Sequence, residues 1–329
     1  MSGVKRPHGP ARSLLTAVGL AGLASVSSGV VARYLPVANR FVLFAAALLP
    51  YLTLTGPVSA AALALARRPR LAGGAGIIAA AAVATQATRY RTAPDSPGRE
   101  LRLMTANLFI GRADCDALVD AARQAGADVL TVQEFTPEAH TRLSAAGIDM
   151  LFPYRAVDPR PGGAGTGVWS RYPIMATRSI SGYLMPLLAT KIDVPDADSP
   201  PVVVSVHLRN PRRIHGYRHD IGRLPDTLRD MDTWAGDGSV MLAGDFNSTL
   251  DMHPFRALLR GGYRDAAEQA GAGGMPTFPS ACALFAIDHV LLRRCTAVDA
   301  YSVRVPDTDH RAVVTTIRLP AAPRTVTPR

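Results

Sequence analysis

From Leu14 to about Ala87 the chain is dominated by Ala, Leu, Val and Gly, and charge enters only at Arg33, Arg40, Arg67, Arg68 and Arg70. Three apolar segments stand out, at about 14–31, 41–66 and 71–87. A helix needs about 20 mostly apolar residues to cross the hydrocarbon of a bilayer. The second segment meets this easily, and Pro50, Gly56 and Pro57 should bend it, as membrane helices tolerate. The first is adequate but rich in Ser and Gly. The third is rich in Ala and Gly and carries Thr85 and Gln86 near its end. The pattern predicts a membrane domain over residues 1–91 with three transmembrane helices. A cleaved leader behind Lys5, Arg6 and Arg12 is the alternative for the first segment. No clean Ala-x-Ala site follows it, and two apolar segments would remain.

Residues 92–99, with Pro94, Ser96, Pro97 and Gly98, read as a linker. Beyond it the pattern changes to that of a soluble domain over 100–319, with a tail at 320–329. Short apolar strands run into polar residues. Leu101–Ala106 ends at Asn107, Ala127–Val132 at Gln133 and Glu134, and Pro201–Val206 at His207. Ser239–Ala243 ends at Gly244, Asp245, Phe246 and Asn247, and Phe285–Ile287 at Asp288 and His289. A Thr308-Asp309-His310 turn precedes a strand at Ala312–Ile317. Helical patterns fall between, at Asp114–Ala125 and Tyr217–Trp234. Alternating strands and helices predict layered α/β architecture, and polar residues collected at strand ends predict one site at a sheet rim.

Charge sharpens the division. Residues 1–95 hold ten Lys/Arg and one acid, whereas residues 96–329 hold 26 Lys/Arg and 25 Asp/Glu. The basic balance therefore belongs to the membrane part, and it is no evidence for a nucleic-acid groove on the soluble part. Cations also set orientation. Lys5, Arg6 and Arg12 precede the first segment and Arg67, Arg68 and Arg70 lie between the second and third, against Arg33 and Arg40 between the first and second. The N-terminus is thus expected in the cytoplasm and everything after Tyr90 outside, with Arg89 and Arg91 arguing weakly the other way. Cys115, Cys282 and Cys295 lack metal-ligand spacing; Cys282 and Cys295 are the nearest pair, with an apolar strand expected between them.

Singly, each polar strand end has an ordinary explanation. Asp245 can cap a turn, Glu134 can cap the helix that starts near Pro137, and His207 can be a satisfied core histidine. Jointly they supply the parts of phosphate-ester hydrolysis. The segments TANLFIGRAD, VLTVQEFTPE, GTGVWSRYPI, VVVSVHLRNP, VMLAGDFNSTLDMHPF, AIDHVLLRR and TDHRAV occur in that order. Together they resemble the endonuclease/exonuclease/phosphatase superfamily, which includes DNase I-like nucleases, abasic-site endonucleases, inositol polyphosphate 5-phosphatases and neutral sphingomyelinases. The resemblance extends to bacterial members with three membrane spans ahead of such a domain, among them actinobacterial teicoplanin-resistance membrane proteins. It implies a four-layer sandwich of two facing mixed β-sheets flanked by helices.

It also implies roles. Glu134, with Asn107 and Asp309, would bind Mg²⁺, with Mn²⁺ as the substitute; a hard cation on oxygen ligands neutralises the phosphate. Asp245 would orient or deprotonate the attacking water, and Asn247 would donate to a phosphate oxygen. His310 would contact the phosphoryl group, with Asp288 on its other ring nitrogen, and His207 would donate to the phosphate or assist the leaving oxygen. Thr308 stands where Ser often precedes Asp-His, and Phe278 where Trp is frequent; both are mild departures. His289 is expected to face away.

Arg209, Arg212 and Arg213 open a run continued by His215, Arg218, His219 and Arg223. It reads either as a solvated helix face or as a clamp for a phosphorylated headgroup. Tyr183–Leu188 reads as buried strand and turn, with a lipid-touching rim as the alternative. The expected function is hydrolysis of a phosphate or pyrophosphate on a lipid or lipid-linked envelope intermediate, linked by resemblance to teicoplanin resistance. The alternatives are a tethered extracellular nuclease, a phospholipase C-like phosphodiesterase and a non-catalytic envelope-binding domain. The full set of acids and histidines argues against the last.

Overall fold

The structure is a computed structural model that describes residues 9–94 and 97–322. Lys5 and Arg6 of the orientation argument, Ser96 of the linker and the tail beyond residue 322 lie outside the described residues. The chain divides into two compact units. One holds the residues up to Thr88 together with Leu250–His253; the other holds Arg89–Thr249 and the chain from Pro254 on.

The first unit is helical: α1 Gly9–Tyr34, α2 Arg40–Ala47, α3 Leu49–Leu52, α4 Thr55–Leu65 and α5 Pro69–Ala87. Among the described residues two helices, Gly9–Tyr34 and Pro69–Tyr90, are long and apolar enough to cross a membrane. The middle segment is not one straight helix. Arg40–Ala47 and Leu49–Leu65 meet at 54°, so the unit offers two spans, or three if the bent pair acts as one. Pro50 lies in the first turn of α3, where its missing N–H costs no helix bond, and Gly56 and Pro57 lie in the first turn of α4. Small residues let α1 and α4 approach. Ser59 donates to the Gly19 carbonyl at 2.6 Å and Thr55 to the Gly22 carbonyl at 3.1 Å. In Leu250–His253, the buried Asp251 carboxylate accepts from Arg33 and Gln86.

The second unit is α/β. Its strands are β1 Arg99–Asn107, β2 Val129–Gln133, β3 Tyr154–Asp158, β4 Thr166–Ser170, β5 Ile174–Ile180 and β6 Leu187–Ile192, then β7 Val202–His207, β8 Val240–Asp245, β9 Arg264–Asp265, β10 Asp288–Arg293, β11 Thr296–Arg304 and β12 Arg311–Leu319. They form two six-stranded sheets, ordered β11-β12-β1-β2-β4-β3 and β5-β6-β7-β8-β10-β9. Both are mixed. Each holds a central parallel pair, β1 with β2 and β7 with β8, and a parallel pair requires a crossover. Helix α6 (Cys115–Ala125) makes the first crossover and α9 (Ile214–Ala235) the second. Asp114 caps α6 through the Ala117 N–H, and Gly126 ends it in the left-handed conformation.

Leu101, Leu103, Val129 and Val168 of one sheet pack with Val203, Met241, Ala243 and Val290 of the other, so the sheets face each other across an apolar core. The outer face of the first sheet carries Met104, Leu130, Val132 and Trp169 against Leu118 and Ala122 of α6 and against Phe135 and Leu143. Buried Tyr217, Leu224 and Leu228 line α9, which lies against β8. Two local expectations change, and the strand expected between Cys282 and Cys295 is present. Phe285–Ile287 is not a sheet strand. Phe285 pairs locally with Phe278, and the chain joins the sheet only from Asp288. Leu184, expected buried, is 46% exposed, while Tyr183 and Leu187 are buried. Cys115, Cys282 and Cys295 are free thiols, and β10 runs between the last two.

Candidate active site

Strand register assembles the site. In the first sheet Asn107 at the end of β1 lies beside Gln133 at the end of β2. In the second, Asp245 at the end of β8 lies between His207 of β7 and Asp288 of β10. Gly244 makes this closeness feasible. Its φ is 151°, and a Cβ there would meet the Val206 carbonyl oxygen at 1.9 Å. Buried Gln133 ties the sheets together beneath the rim. Its Nε2 donates to Thr105 of its own sheet at 3.2 Å and to Ser205 of the facing sheet at 3.1 Å.

Above that strut the polar side chains form one network. The Asn107 amide donates to Glu134 Oε1 at 3.2 Å and to Asp245 Oδ2 at 3.1 Å, crossing from one sheet to the other. Glu134 leaves β2 with φ +54°, and its Oε2 accepts from the Ile110 N–H at 2.7 Å. A left-handed glutamate costs about 1 kcal/mol or more, a strain that surrounding bonds must hold. Glu134 does not cap the next helix; Thr136 does, through the Ala139 N–H. Asn247, also left-handed at φ +48°, grips Asp245 twice, by its backbone N–H to Oδ1 at 2.8 Å and its side chain to Oδ2 at 3.1 Å.

The histidines have fixed roles. His310 Nδ1 donates to Asp288 Oδ2 at 2.9 Å, and its Nε2 lies 3.7 Å from Asp245 Oδ2 and 3.9 Å from Asp309 Oδ1. Thr277 Oγ donates to the same Asp288 oxygen at 2.6 Å. His207 Nδ1 is 3.1 Å from the Gly163 carbonyl, which can only accept, so Nδ1 carries a proton. Its Nε2 then faces Glu134 Oε1 and Asp245 Oδ2, each at 3.7 Å. His289 points away, to Asp265 at 2.7 Å.

Electrostatics follow from crowding. Burial disfavours a charged His310, but Asp288 and Asp245 outweigh it and hold the ring protonated well above the usual histidine range. Burial pushes the Asp245 carboxyl up, with His310 opposing and Asp288 adding. Burial also raises Asp309, His310 opposes, and the neighbouring Glu134 charge adds. Two carboxylates, Asp309 and Glu134, that repel across a half-buried cleft suit a divalent cation on hard oxygen donors; the Asn107 amide turns its N–H to the acids and its oxygen to the Phe109 N–H at 2.9 Å, so it joins such a donor set only by turning over. Asp245, Asp288 and His310 also bring one ligand atom each within 4.8 Å of one another. There, however, His310 Nδ1 is committed to Asp288.

The structure thus gathers Asn107, Glu134, His207, Asp245, Asn247, Asp288, Asp309 and His310 at one rim. Arg212 and Arg213 are exposed, and Arg209 is held through its backbone N–H to Asp220 at 3.0 Å. That segment reaches the site through Asn210, which donates to Asn247 at 3.0 Å. Sequence reasoning missed Thr277, Gly163 and Asn210. The nearest signal for Thr277 was its neighbour Phe278, which stands where Trp is frequent in the family that the sequence resembles.

A family model described as the Endonuclease/Exonuclease/phosphatase family matches residues 104–310. The chain belongs to this family. The match begins in β1 and closes on His310, so it takes in every residue of the network. Membership makes the protein a metal-dependent phosphoric ester hydrolase. Solved structures agree on the fold, two facing sheets of the DNase I-like type. D. rerio TDP2 complexed with single strand DNA product is 17% identical, with a TM-score of 0.55 over 67% of this chain and 99% of that one. An endonuclease/exonuclease/phosphatase from Beutenbergia cavernae DSM 12333 is 20% identical, with a TM-score of 0.54 over 69% of this chain and 73% of that one. A functionally unknown conserved protein from Enterococcus faecalis V583 is 15% identical, with a TM-score of 0.55 over 67% and 100%. No curated protein matches the chain.

Proposed function

We propose that this family member is anchored in the cell membrane by its apolar helices and hydrolyses a phosphate or pyrophosphate on a lipid or lipid-linked envelope intermediate, with its catalytic domain on the outer side. The observation that carries this is the joining, in one chain, of helices long and apolar enough to cross a membrane with a hydrolase of this family. Anchoring holds such an enzyme beside headgroups. Cation flanks support the outward orientation. A role in teicoplanin resistance is the finest part of the proposal, and it predicts greater sensitivity on deletion of the gene.

In this reading Glu134 and Asp309 would hold Mg²⁺ or Mn²⁺, and the Asn107 side-chain oxygen would join them once the amide turns over from its bond with the Phe109 N–H. When bound, the cation neutralises phosphate charge and polarises the ester. Asp245 takes the proton of the attacking water. Its environment suits that work, because Asn247 fixes both carboxylate oxygens and burial raises the carboxyl's basicity. The charged His310 faces the phosphoryl oxygens from Nε2 while Asp288 holds Nδ1. His207, its Nδ1 occupied by Gly163, presents Nε2 to the phosphate or the leaving oxygen. Asn247 keeps Asp245 in place here rather than donating to phosphate, since both its amide N–H groups are taken, by Asp245 and by the Leu208 carbonyl at 2.9 Å. Exposed Arg212 and Arg213, with Arg209, offer charge to a phosphorylated headgroup.

The second reading is a tethered nuclease, favoured by the likeness to a protein solved with a single-strand DNA product. Against it stands the near-balance of charge in residues 96–329, with 26 cations and 25 acids. The purified full chain with Mg²⁺ should release phosphate from polyprenyl phosphates or pyrophosphates, or cleave phospholipids, faster than it cuts DNA. Rapid DNA cleavage with inert lipids would select the nuclease.

A further inference from the structure

Asn247 commits both side-chain N–H groups, to Asp245 Oδ2 and to the Leu208 carbonyl. Its remaining polar atom, Oδ1, accepts from Asn210 Nδ2 at 3.0 Å. The Asn210 amide is fixed from its other end, because its Oδ1 accepts from the Arg212 N–H at 2.9 Å. The Arg213 N–H closes the same turn on the Asn210 carbonyl at 2.9 Å. Buried Asp220 of α9 pins the preceding residue, accepting from the Arg209 N–H at 3.0 Å. The result is an ordered chain of donors: Arg212 N–H to Asn210, Asn210 to Asn247, and Asn247 to Asp245. Each link polarises the next, and all point toward the Asp245 carboxylate.

We infer that Asn210 is a positioning residue for hydrolysis: it holds the Asn247 amide, and through it the Asp245 carboxylate, to the arginine-bearing turn Arg209–Arg213. A substrate group that engages this turn would thereby act on the carboxylate that handles the attacking water. The inference rests on the roles assigned to Asp245 and Asn247 above, and it is independent of whether the substrate is a lipid. Asn210 itself is exposed at the rim, so it shapes the site without supporting the core.

Asn210→Asp isolates the contact. It keeps the acceptor for the Arg212 N–H and replaces the donor to Asn247 by a second acceptor. The probe is bis(p-nitrophenyl) phosphate, a soluble diester, with the detergent-solubilised full chain and Mn²⁺. The kcat should fall about tenfold, the scale of a hydrogen bond turned into a repulsion, while KM and half-saturating Mn²⁺ stay within about twofold. In an Asn247→Ala background the same substitution should change kcat by less than about twofold. An unchanged kcat, or a loss undiminished in that background, overturns the inference. Thermal denaturation of the same four proteins gives an independent reading that requires no turnover. The Tm shifts of the two single variants should fall short of adding in the double variant, and strict additivity would also overturn it. Inert lipids with an active diester would sink the lipid proposal and leave this result standing.

Discussion

Asp288→Asn tests how the site distributes charge. The Asp288 Oδ2 atom accepts from His310 Nδ1 at 2.9 Å and from Thr277 Oγ at 2.6 Å, in a pocket that leaves Asp288 2% exposed. Both partners are donors, so an asparagine must place its oxygen there. The geometry survives and the negative charge is lost. Hydrogen bonds to charged groups contribute about 1.5–3 kcal/mol and neutral ones about 1 kcal/mol. The difference, about 0.5–2 kcal/mol at a step where His310 carries charge, corresponds to a fall in kcat of roughly 2–30-fold. The pH profile should move as well. Asp288 raises both His310 and Asp245, so its neutralisation lowers both, and the alkaline and acid limbs should shift together toward lower pH. Steady-state hydrolysis of a chromogenic phosphodiester from about pH 5 to 10 reads both effects. His310→Ala alone should cost about 10²-fold or more. Adding Asp288→Asn to it should cost little further, because the carboxylate acts through the ring. A double variant whose losses multiply, or a pH profile that stays fixed, would refute the relay.

Glu134→Gln keeps the acceptor for the Ile110 N–H but removes a charge, so half-saturating Mg²⁺ should rise at least about tenfold, measured by activity and by calorimetry; undiminished activity in excess chelator would exclude the assignment. His289 makes a pH-dependent contribution to stability: Nδ1 faces Asp265 at 2.7 Å, and Nε2 faces the Ser248 and Ala286 carbonyls at 2.8 and 3.0 Å. Only the protonated ring satisfies all three, and although burial opposes the charge, Asp265 lifts the group above its ordinary value. That stability is complete below the unfolded value of about 6.5 and is lost as pH rises through the raised folded value. His289→Ala should therefore lower stability by about 3 kcal/mol at pH 6 and by clearly less at pH 10, read by denaturant unfolding; equal losses at both would contradict it. For topology, protease added to intact spheroplasts should remove the soluble unit while sparing a cytoplasmic marker, and full protection would place that unit inside.

Much of this protein was legible in local pattern. Long apolar runs, strands of five or six residues and the polar residue that closes each one are properties of neighbouring positions, and sequence displays neighbours directly. Caps are local as well, but the helix at Pro137 is capped by Thr136 and not by the candidate Glu134. The bend of the middle apolar segment was legible too, since Pro50, Gly56 and Pro57 were expected to bend it and its 54° break falls at Leu48, just ahead of Pro50.

What joins the strand ends was decided by register. Asn107 and Asp245 are 138 positions apart, and their 3.1 Å contact exists because two sheets pack face to face with Gln133 and Ser205 bonded between them. The same packing explains the misses. Thr277 reaches Asp288 only because Phe278 and Phe285 pair locally and aim the Thr277 hydroxyl at the sheet edge. Asn247 looked like a free phosphate donor in GDFN until the Leu208 carbonyl of the neighbouring strand end claimed one N–H and Asp245 the other. Sequence fixes which groups are able to donate and accept. Which pairs form depends on long-range geometry, since a hydrogen bond needs approach within about 3 Å and no local periodicity encodes that distance.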